Sequence, residues 1–390
     1  MDHLADIDIQ PSVQGTEYHW TIERDVLLEG LKTISGVVES SQVLQILSHV
    51  HMTLHESHLQ LIASDSEVEL RTRIQLAQPI QTTCSLSVSC RKLMDVCRTL
   101  PQGSILVFKL TEGWLSVESG QAQFKLATLP ADRFPILTLG EADASITVSE
   151  ARLHQTIQKT YFAMAHQDVR FFLNGLHIKL NADALCATAT DGHRLARLSS
   201  GPVATASDLT EIIMPRKAVL ELMRLLSESE TQAQVLVSKH HIQISTEQFV
   251  LTSNLLEGDY PKCDALLDLP EAAHIAIVEC AAFKQVLSRA AILSHEKFKG
   301  ARLFFENNQL EVSANNADQE SSKDAFEIQY SGAPLKLAFN IHYVLDVLNV
   351  IKTDQMQIHL TNSQNSVLLT EVETEGECAA ARYLIMPLTL

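Results

Sequence analysis

Three stretches repeat one pattern: Leu93-Met94-Asp95-Val96-Cys97-Arg98, Val219-Leu220-Glu221-Leu222-Met223-Arg224 and Val344-Leu345-Asp346-Val347-Leu348-Asn349. The copies lie 126 and 125 residues apart, and so regular a spacing indicates a structural unit that occurs three times. Within each copy, apolar residues recur at i, i+3, i+4 and i+7, which form one stripe on an α-helix. The opposite faces carry the polar pairs Arg91 and Arg98, Lys217 and Arg224, and His342 and Asn349. Three equivalent helices are therefore predicted, each with one buried face and one basic or polar face.

The repeat divides the 390-residue chain into three domains, each large enough to bury its own core. Each domain is predicted to be α+β, with the series strand, helix and three strands occurring twice. Alternating apolar residues around Leu59 and Leu61 predict antiparallel strands with one buried face. An Asp, aromatic, Pro ending recurs at 132–135 and 259–261, where proline favours a linker. The predicted divisions are an N-terminal extension at 1–17 and domains at 18–143, 144–269 and 270–390.

The net charge of −17 argues against a nucleic-acid partner, but the charges are unevenly distributed. The six predicted helices hold 15 Lys and Arg against 9 Asp and Glu, whereas the rest of the chain holds 15 against 38. Helices favour Lys and Arg in any case. If all six faced one side, the protein would be an acidic body with a basic lining. These helices are predicted at 24–38, 89–100, 149–165, 215–228, 279–299 and 340–352.

Composition favours a cytoplasmic protein without a membrane segment. No apolar run approaches the ~18 residues that a membrane helix needs. Residues 1–15 are acidic and lack the apolar core of a secretory signal. The seven cysteines are scattered without a C-x-x-C pair, which is typical of reduced thiols.

One short segment invites a catalytic interpretation. Asp191 and His193 could act as an acid/base pair, with Ser199 or Thr190 as the nucleophile. The i, i+2 spacing argues against this, because both side chains would point in parallel and the segment lacks an elbow such as G-x-S-x-G. Asp-Gly is also a common turn dipeptide. An enzyme is therefore the less favoured hypothesis.

Histidines 49, 51, 55 and 58 invite a metal interpretation, but their spacing does not match a structural zinc site. They are predicted to be solvated strand residues, and His240-His241 a hairpin turn. The sequence also lacks a phosphate loop and a dinucleotide fingerprint, so neither a metal nor a cofactor is predicted. The apolar segment 382–390 is predicted to be an edge strand of the third domain. Its tip would help to wall a groove that receives a partner's peptide.

Several of these segments together resemble the bacterial sliding clamp family, the beta subunit of DNA polymerase III. The matching segments, in the correct order, are Ala165-His166-Gln167-Asp168-Val169-Arg170, Ala189-Thr190-Asp191-Gly192-His193-Arg194-Leu195, Met214-Pro215-Arg216-Lys217, Arg289-Ala290-Ala291-Ile292-Leu293-Ser294, Tyr343-Val344-Leu345-Asp346-Val347-Leu348 and Met386-Pro387. The resemblance extends from about Tyr18 to Leu390. It implies the DNA-clamp fold, in which helices line a ring and antiparallel sheets lie outside.

The resemblance also implies a function. Two chains would close head to tail into a homodimer around duplex DNA, without enzymatic activity. Lys and Arg that meet phosphates without reading bases give sequence-independent binding that permits sliding. The ring would tether the replicative polymerase for processive synthesis. The clamp loader, other polymerases and repair proteins would bind through short linear motifs.

Three sets of site residues follow from the resemblance. The peptide groove would take Arg170, Leu173, Thr190, Gly192, His193, Leu195, Pro261, Leu266, Ser366, Leu384, Ile385, Met386, Pro387 and Leu388. The DNA-facing set is Arg24, Arg91, Arg98, Gln167, Phe171, Phe172, Arg216, Lys217 and Arg224. The dimer interface would set Phe124 and Leu126 against Ile292 and Leu293 of the partner subunit.

The chain departs from the family pattern in three places. Loop 39–42 lacks the expected basic residue and proline, which weakens one expected DNA contact, and 262–265 is poorer in Tyr and Arg than usual. Glu118, Gln121 and Gln123 stand where basic residues are common, which affects the ion pairs of the dimer interface. The alternative is a diverged paralogue that docks proteins without encircling DNA.

Overall fold

The computed structural model describes residues 17–38, 44–80, 83–180, 184–201, 204–205, 210–268, 274–362, 366–372 and 380–388. The predicted extension up to residue 16 and the divergent loop 39–42 lie outside these ranges. The chain forms two compact units. The first comprises Met1–Ser145 and Gln232–Asn254, and the second comprises Ile146–Thr231 and Leu255–Leu390.

Six α-helices occur in the described residues, at the six predicted places. They are α1 (Arg24–Ile34), α2 (Cys90–Thr99), α3 (Glu150–Gln158), α4 (Arg216–Leu225), α5 (Cys280–Ile292) and α6 (Ile341–Val350). Most of the predicted stripe is buried in all three copies, as Leu93, Leu222 and Val344 illustrate with exposures of 0, 0 and 3%, whereas Met223 and Ile351 are half-buried. Several helices are shorter than predicted. The third ends early because Thr160 leaves the helical region at φ −129° and its hydroxyl bonds to the carbonyl of Thr156.

Groups of strands lie between successive helices along the described chain. They are β1 (Tyr18–Glu23), β2 (His49–Leu54), β3 (His58–Ser64), β4 (Val68–Gln75), β5 (Cys84–Ser89), β6 (Ile105–Thr111), β7 (Trp114–Ser119), β8 (Ala122–Leu129), β9 (Ala144–Ser149), β10 (Gly175–Leu180), β11 (Leu185–Thr190), β12 (Arg194–Ser200), β13 (Ala204–Thr205), β14 (Thr210–Pro215), β15 (Gln232–Val237), β16 (His241–Ser245), β17 (Val250–Asn254), β18 (His274–Glu279), β19 (Gly300–Glu306), β20 (Gln309–Asn315), β21 (Ser321–Glu327), β22 (Leu335–Asn340), β23 (Gln355–Leu360), β24 (Val367–Glu371) and β25 (Ala380–Ile385). Gly113 and Gly120 lie in the turns that join β6 to β7 and β7 to β8, with φ values of +76° and +58°.

In the first unit, the strands are hydrogen-bonded in the order β1-β6-β7-β8-β5-β2-β3-β4-β17-β16-β15. Helix α1 packs on β3 and β4, and α2 packs on β2 and β5. The strands of the middle repeat continue the sheet, because β17 pairs antiparallel with β4 from Val250↔Arg71 to Ser253↔Val68. We call this pairing the first junction.

The sheet under α1 and α2 is buried on both faces, so the prediction of a half-buried sheet is wrong. All six residues of β2 are buried, including His49 and His51, which were predicted to be solvated. The cover on the second face is the predicted linker. Phe134 stacks on His51 with ring centroids 5.3 Å apart, and the backbone N–H of Leu137 donates to Glu69 at 2.8 Å. The linker segment is therefore part of the core.

In the second unit, the main sheet has the strand order β14-β10-β11-β12-β25-β24-β23-β18, and a smaller sheet has the order β21-β20-β19-β22. Helices α3 and α4 pack together and against the strands of the middle repeat, while α5 and α6 pack together against those of the third. The N–H of Ile277 and the carbonyl of Gln329 hydrogen-bond at 2.9 Å beside the two sheets.

The last strand does not lie at an edge, contrary to the prediction. It pairs with β12 of the middle repeat from Arg194↔Ile385 to Ser199↔Ala380, and on its other side with β24. We call the pairing of β12 with β25 the second junction. The apolar character of the segment follows from this interior position, since both edges of the strand pair with other strands and its side chains from Ala381 to Ile385 are buried except that of Arg382.

Candidate functional site

The first part of the candidate site is the loop before β10, whose shape is fixed by hydrogen bonds. Both carboxylate oxygens of Asp168 accept from the Arg170 guanidinium, at 3.0 and 2.9 Å. The side chain of Asn174 bonds to the N–H and carbonyl of Asp168, at 2.9 and 2.8 Å. The hydrogen bonds from Arg170 lower the pKa of Asp168 to about 2. The carboxylate therefore stays ionised and keeps the guanidinium at the surface.

The second part is the β11–β12 turn, which carries the residues considered above for catalysis. Asp191 accepts from the N–H groups of His193 and Arg194, at 2.9 and 3.0 Å, and from the Arg194 side chain. Thr190 donates its hydroxyl to the carbonyl of Arg194 at 2.6 Å. Gly192 has φ +88°, and a Cβ there would lie 3.2 Å from Arg170. These groups are committed to the turn, so the catalytic interpretation gains no support.

A buried apolar cluster lies on one face of the second junction. We call it the floor cluster, and its members are Leu195, Cys263, Leu267, Leu368 and Leu384. Leu266 and Met386 are next to it in the chain and remain 58% and 47% exposed. The N–H of Met386 donates to the carbonyl of His193 at 2.9 Å, which extends the pairing of the two segments beyond the strand. Exposed apolar side chains beside a buried apolar floor are typical of a peptide-docking surface.

The divergent segment 262–265 is held to β12 by charge. Arg197 donates to Asp264, and its Nε donates to Cys186 Sγ at 3.1 Å. The hydrogen bond from Arg197 lowers the pKa of Asp264, which favours the ion pair. Arg382 donates to the carbonyl of Leu267 at 3.3 Å. The segment thus occupies a defined place although its sequence is unusual.

The structure brings most of the predicted groove residues to this surface. Arg170, Gly192, His193, Pro261, Leu266 and Met386 are exposed, whereas Ser366, Pro387 and Leu388 are half-buried and Thr190, Leu195 and Leu384 are buried. Leu173 and Ile385 do not reach it, with exposures of 1% and 2%. Ile385 lies on the opposite face of β25, where it lines a small internal cavity with Phe283 and Phe305.

Sequence reasoning missed three members of the floor cluster: Cys263, Leu267 and Leu368. The consecutive leucines at 266 and 267 could have indicated this contact, because a chain that packs on a sheet buries only one of two adjacent side chains. The buried member is Leu267, at 2% exposure.

The helix faces opposite the buried stripes present cations. The side chains of Arg91 and Arg98 on α2 are 91% and 55% exposed, and both lie within 4 Å of Asp95, at 3.9 and 3.4 Å. On α4, Arg224 is 41% exposed and contacts Glu221 at 2.7 Å. Such exposed pairs contribute only ~0–1 kcal/mol, so these guanidinium groups can exchange a carboxylate for a phosphate.

The remaining predicted DNA-facing residues differ in exposure. Gln167 and Phe171 are exposed, and Phe172, Arg216 and Lys217 are half-buried. Arg24 is only 8% exposed, and its Nε donates to the carbonyl of Cys97 at 2.5 Å. Arg24 is thus better explained as a link between α1 and α2 than as a DNA contact.

The four residues predicted at the dimer interface lie near strand edges or helix ends. Ile292, at the end of α5, is 78% exposed, and Leu293 is half-buried. Phe124 and Leu126 are half-buried on β8. That strand pairs with β7 along its length but with β5 only through Leu129 and Thr128. Residues 122–127 of β8 therefore have one edge without a strand partner among the described residues.

Within the described residues, no three His, Cys, Asp or Glu side chains group as a metal site would require. None of the described helices combines the length and the apolar character needed to cross a membrane. Three α+β repeats with cationic helix faces and exposed apolar side chains beside a buried floor agree with the class of DNA clamp that the sequence resembles.

Comparison with known proteins gives the same class. Models of the DNA polymerase III beta subunit match in three consecutive parts: the N-terminal domain at 18–138, the central domain at 147–262 and the C-terminal domain at 269–389. The beta sliding clamp of Pseudomonas putida is 38% identical over 373 residues, which cover 95% of this chain and 100% of that protein.

Solved structures agree. The DNA polymerase III subunit beta of Pseudomonas aeruginosa superposes with a TM-score of 0.90 at 36% identity, covering 96% of this chain and 100% of that one. A DnaN sliding clamp of the same organism, bound to griselimycin, gives a TM-score of 0.89 at 36% identity, with coverages of 95% and 99%. The chain belongs to the DNA polymerase III beta subunit family, the beta sliding clamps, which are non-enzymatic processivity factors.

Proposed function

We propose that the chain closes with a second copy, head to tail, into a ring around duplex DNA. Family membership and the cationic faces of α2 and α4 support this. The exposed Ile292 and the open edge of β8 support closure, because apolar residues beside an unpaired strand edge favour association. The domain boundaries at 143 and 269 and a cytoplasmic location belong to the same proposal.

In this proposal the ring tethers the replicative polymerase through a short apolar motif seated on the floor cluster. The clamp loader, other polymerases and repair proteins would use the same surface in turn. The observation that carries the assignment is the second junction, where Leu266 and Met386 remain 58% and 47% exposed beside a buried apolar floor. Griselimycin, present in the related clamp, is proposed to bind this chain at the same surface.

A topological experiment tests ring closure. The chain is loaded by its clamp loader and ATP onto a nicked circular plasmid, and the complex is isolated by gel filtration in high salt. We expect the clamp to remain on the circle and to leave when a restriction enzyme cuts it, since a closed ring needs no tight contact. Binding that does not depend on the circle, or no binding, would favour a docking scaffold that does not encircle DNA.

The variant that tests closure is the double exchange Ile292→Ala and Leu293→Ala. Sedimentation at low micromolar concentration should give the mass of two chains for the parent and of one chain for the variant. Exchange of Lys239→Ala, an exposed cation in the turn between β15 and β16, should leave the dimer intact.

A further inference from the structure

The second junction has two faces with different chemistry. In an antiparallel ladder, directly opposite residues share a face. Leu195 pairs with Leu384, and both belong to the floor cluster. Arg194 pairs with Ile385 and Ala196 with Tyr383 on the other face. That second face is covered by protein, because the Arg194 side chain is 12% exposed and Tyr383 is fully buried.

One end of the covered face is tied by Arg194. Its Nη1 donates to Asp346 on α6, and its Nη2 donates to the carbonyl of Phe162 at 2.6 Å. The guanidinium also lies over the ring of Tyr343, 4.4 Å from its centroid. A residue of β12 is thereby fixed to a helix of the third repeat.

The other end is tied by a second ion pair, in which the middle repeat again supplies the cation and the third repeat the carboxylate. Lys159, at the end of α3, places its Nζ 2.6 Å from Glu371 at the end of β24, and their side chains are 3% and 9% exposed. The second oxygen of Glu371 accepts from the N–H of Lys352 at 3.3 Å. Because Thr370 pairs with Arg382, this contact lies about 13 Å along the ladder from Arg194, at roughly 3.3 Å per residue.

The physical chemistry argues that this pair defines geometry more than it adds stability. Two charges lose their hydration when buried, so replacing a buried pair with apolar residues is often neutral or stabilising. An apolar contact tolerates small displacements, whereas a contact of 2.6 Å between charges does not. Between the two ties, the rings of Phe162 and Tyr383 have centroids 6.0 Å apart, and the Tyr383 hydroxyl has no hydrogen-bond partner among the residues that the structure describes. In that stretch the backbone ladders set the strand pairing, and the described side chains between the two ties on this face add no ion pair that would hold the strands to the helices.

We propose that Lys159 and Glu371 are positioning residues for peptide docking. They hold β24 and β25 against the middle repeat, so that Leu384 and Met386 lie opposite Leu195 and His193 on the far face of the ladder. This inference rests on the proposed function of the floor cluster.

The test is the double variant Lys159→Met and Glu371→Met, which keeps the volume and removes both charges. Griselimycin affinity is measured by calorimetry well below the melting temperature of each variant, so that a loss reflects the folded state. We expect affinity at least fivefold weaker at a similar melting temperature, together with faster hydrogen exchange at the amide of Met386. Lys159→Arg, which keeps the charge, should restore parent values. The control pair Lys323→Met and Glu311→Met, whose side chains in the third repeat are 69% and 33% exposed, should change neither the affinity nor the exchange rate.

Unchanged affinity and unchanged exchange in the folded double variant would overturn the inference. If the double variant does not fold, Glu371→Asp replaces it, because it keeps both charges and shortens the acid by one methylene, and the same two outcomes apply. If the parent itself does not bind griselimycin, the proposed docking function fails, and exchange at Met386 alone then decides the positioning role.

Discussion

The two junctions between successive repeats are built from equivalent residues but present different surfaces. His51 and Phe134, in the repeat before the first junction, have counterparts 126 residues later in His177 and Tyr260, in the repeat before the second. Both pairs of rings stack, with centroids 5.3 and 4.6 Å apart. In each case an aromatic residue of the linker packs on a strand histidine. The repeat thus preserves the way in which a linker covers its sheet.

The difference lies at one position. Glu69 of the first junction is fully buried, pairs with Arg71 and accepts from the N–H of Leu137. Its counterpart 126 residues later is Leu195, in the floor cluster. Directional polar bonds close the first junction, whereas apolar packing leaves exposed side chains at the second. The same fold therefore forms one junction that polar contacts close and one that keeps exposed apolar side chains beside it.

The largest expected effect follows from the loss of the buried ion pair at the first junction. Glu69→Ala should lower the free energy of unfolding of the first unit by about 3–5 kcal/mol, because it leaves Arg71 buried and unpaired. Urea denaturation followed by circular dichroism measures this. Asp95→Ala, which removes an exposed partner of Arg98, is the control and should cost at most ~1 kcal/mol. A similar cost for both variants would contradict the contrast between the junctions.

Truncation of the counterpart should cost less and act on the other unit. Leu195→Ala removes a side chain that is 4% exposed, and should destabilise the second unit by about 3 kcal/mol, within the usual 2–5. Leu266→Ala, at an exposed neighbour of the cluster, should change stability by less than ~0.5 kcal/mol. Equal effects in urea melts would show that the cluster is not a packed floor.

The two stacked histidines should respond differently to acid. Burial lowers the pKa of His51 to about 4, from 6.5 in the unfolded chain. The contribution of neutral, buried His51 to the free energy of unfolding is therefore fully present above pH 6.5. It is lost as the pH falls toward 4, and the loss reaches about 3 kcal/mol. Burial also lowers the pKa of His177, but Glu211 opposes that shift.

Urea melts at pH 7.5 and 4.5 test this difference. His51→Gln should remove part of the pH dependence of the first unit, and His177→Gln should remove less from the second. Identical pH dependence in the parent and in His51→Gln would refute the assignment.

The smallest expected effect concerns ligand binding alone. Met386→Ala should weaken griselimycin binding about tenfold, or roughly 1.4 kcal/mol, because a half-exposed apolar contact is lost. Its melting temperature should stay at the parent value. Trp114→Ala, at an exposed apolar residue of the first unit, is the matched control and should leave the affinity unchanged. If both variants bind as the parent does, the docking surface lies elsewhere.

Periodicity allowed the helices to be predicted, because a buried stripe is a local property of sequence. Contacts between distant residues left no local signal. Arg24 bears a charge on a helix and was assigned to DNA, but its guanidinium bonds to a carbonyl 73 residues away. The histidines of β2 were assigned to solvent, since the sequence does not show that a linker covers that face. β25 was assigned to an edge, because its partner β12 belongs to another repeat.

The interior position of β25 has a consequence during synthesis. β12 emerges from the ribosome long before its partner, since Arg194 pairs with Ile385. At a translation rate of roughly 5–20 residues per second, some ten to forty seconds pass between the synthesis of β12 and that of β25. During that time an unpaired strand of the nascent chain is open to non-native pairing with other chains. The middle repeat thus completes its own sheet only when translation of the third is almost finished.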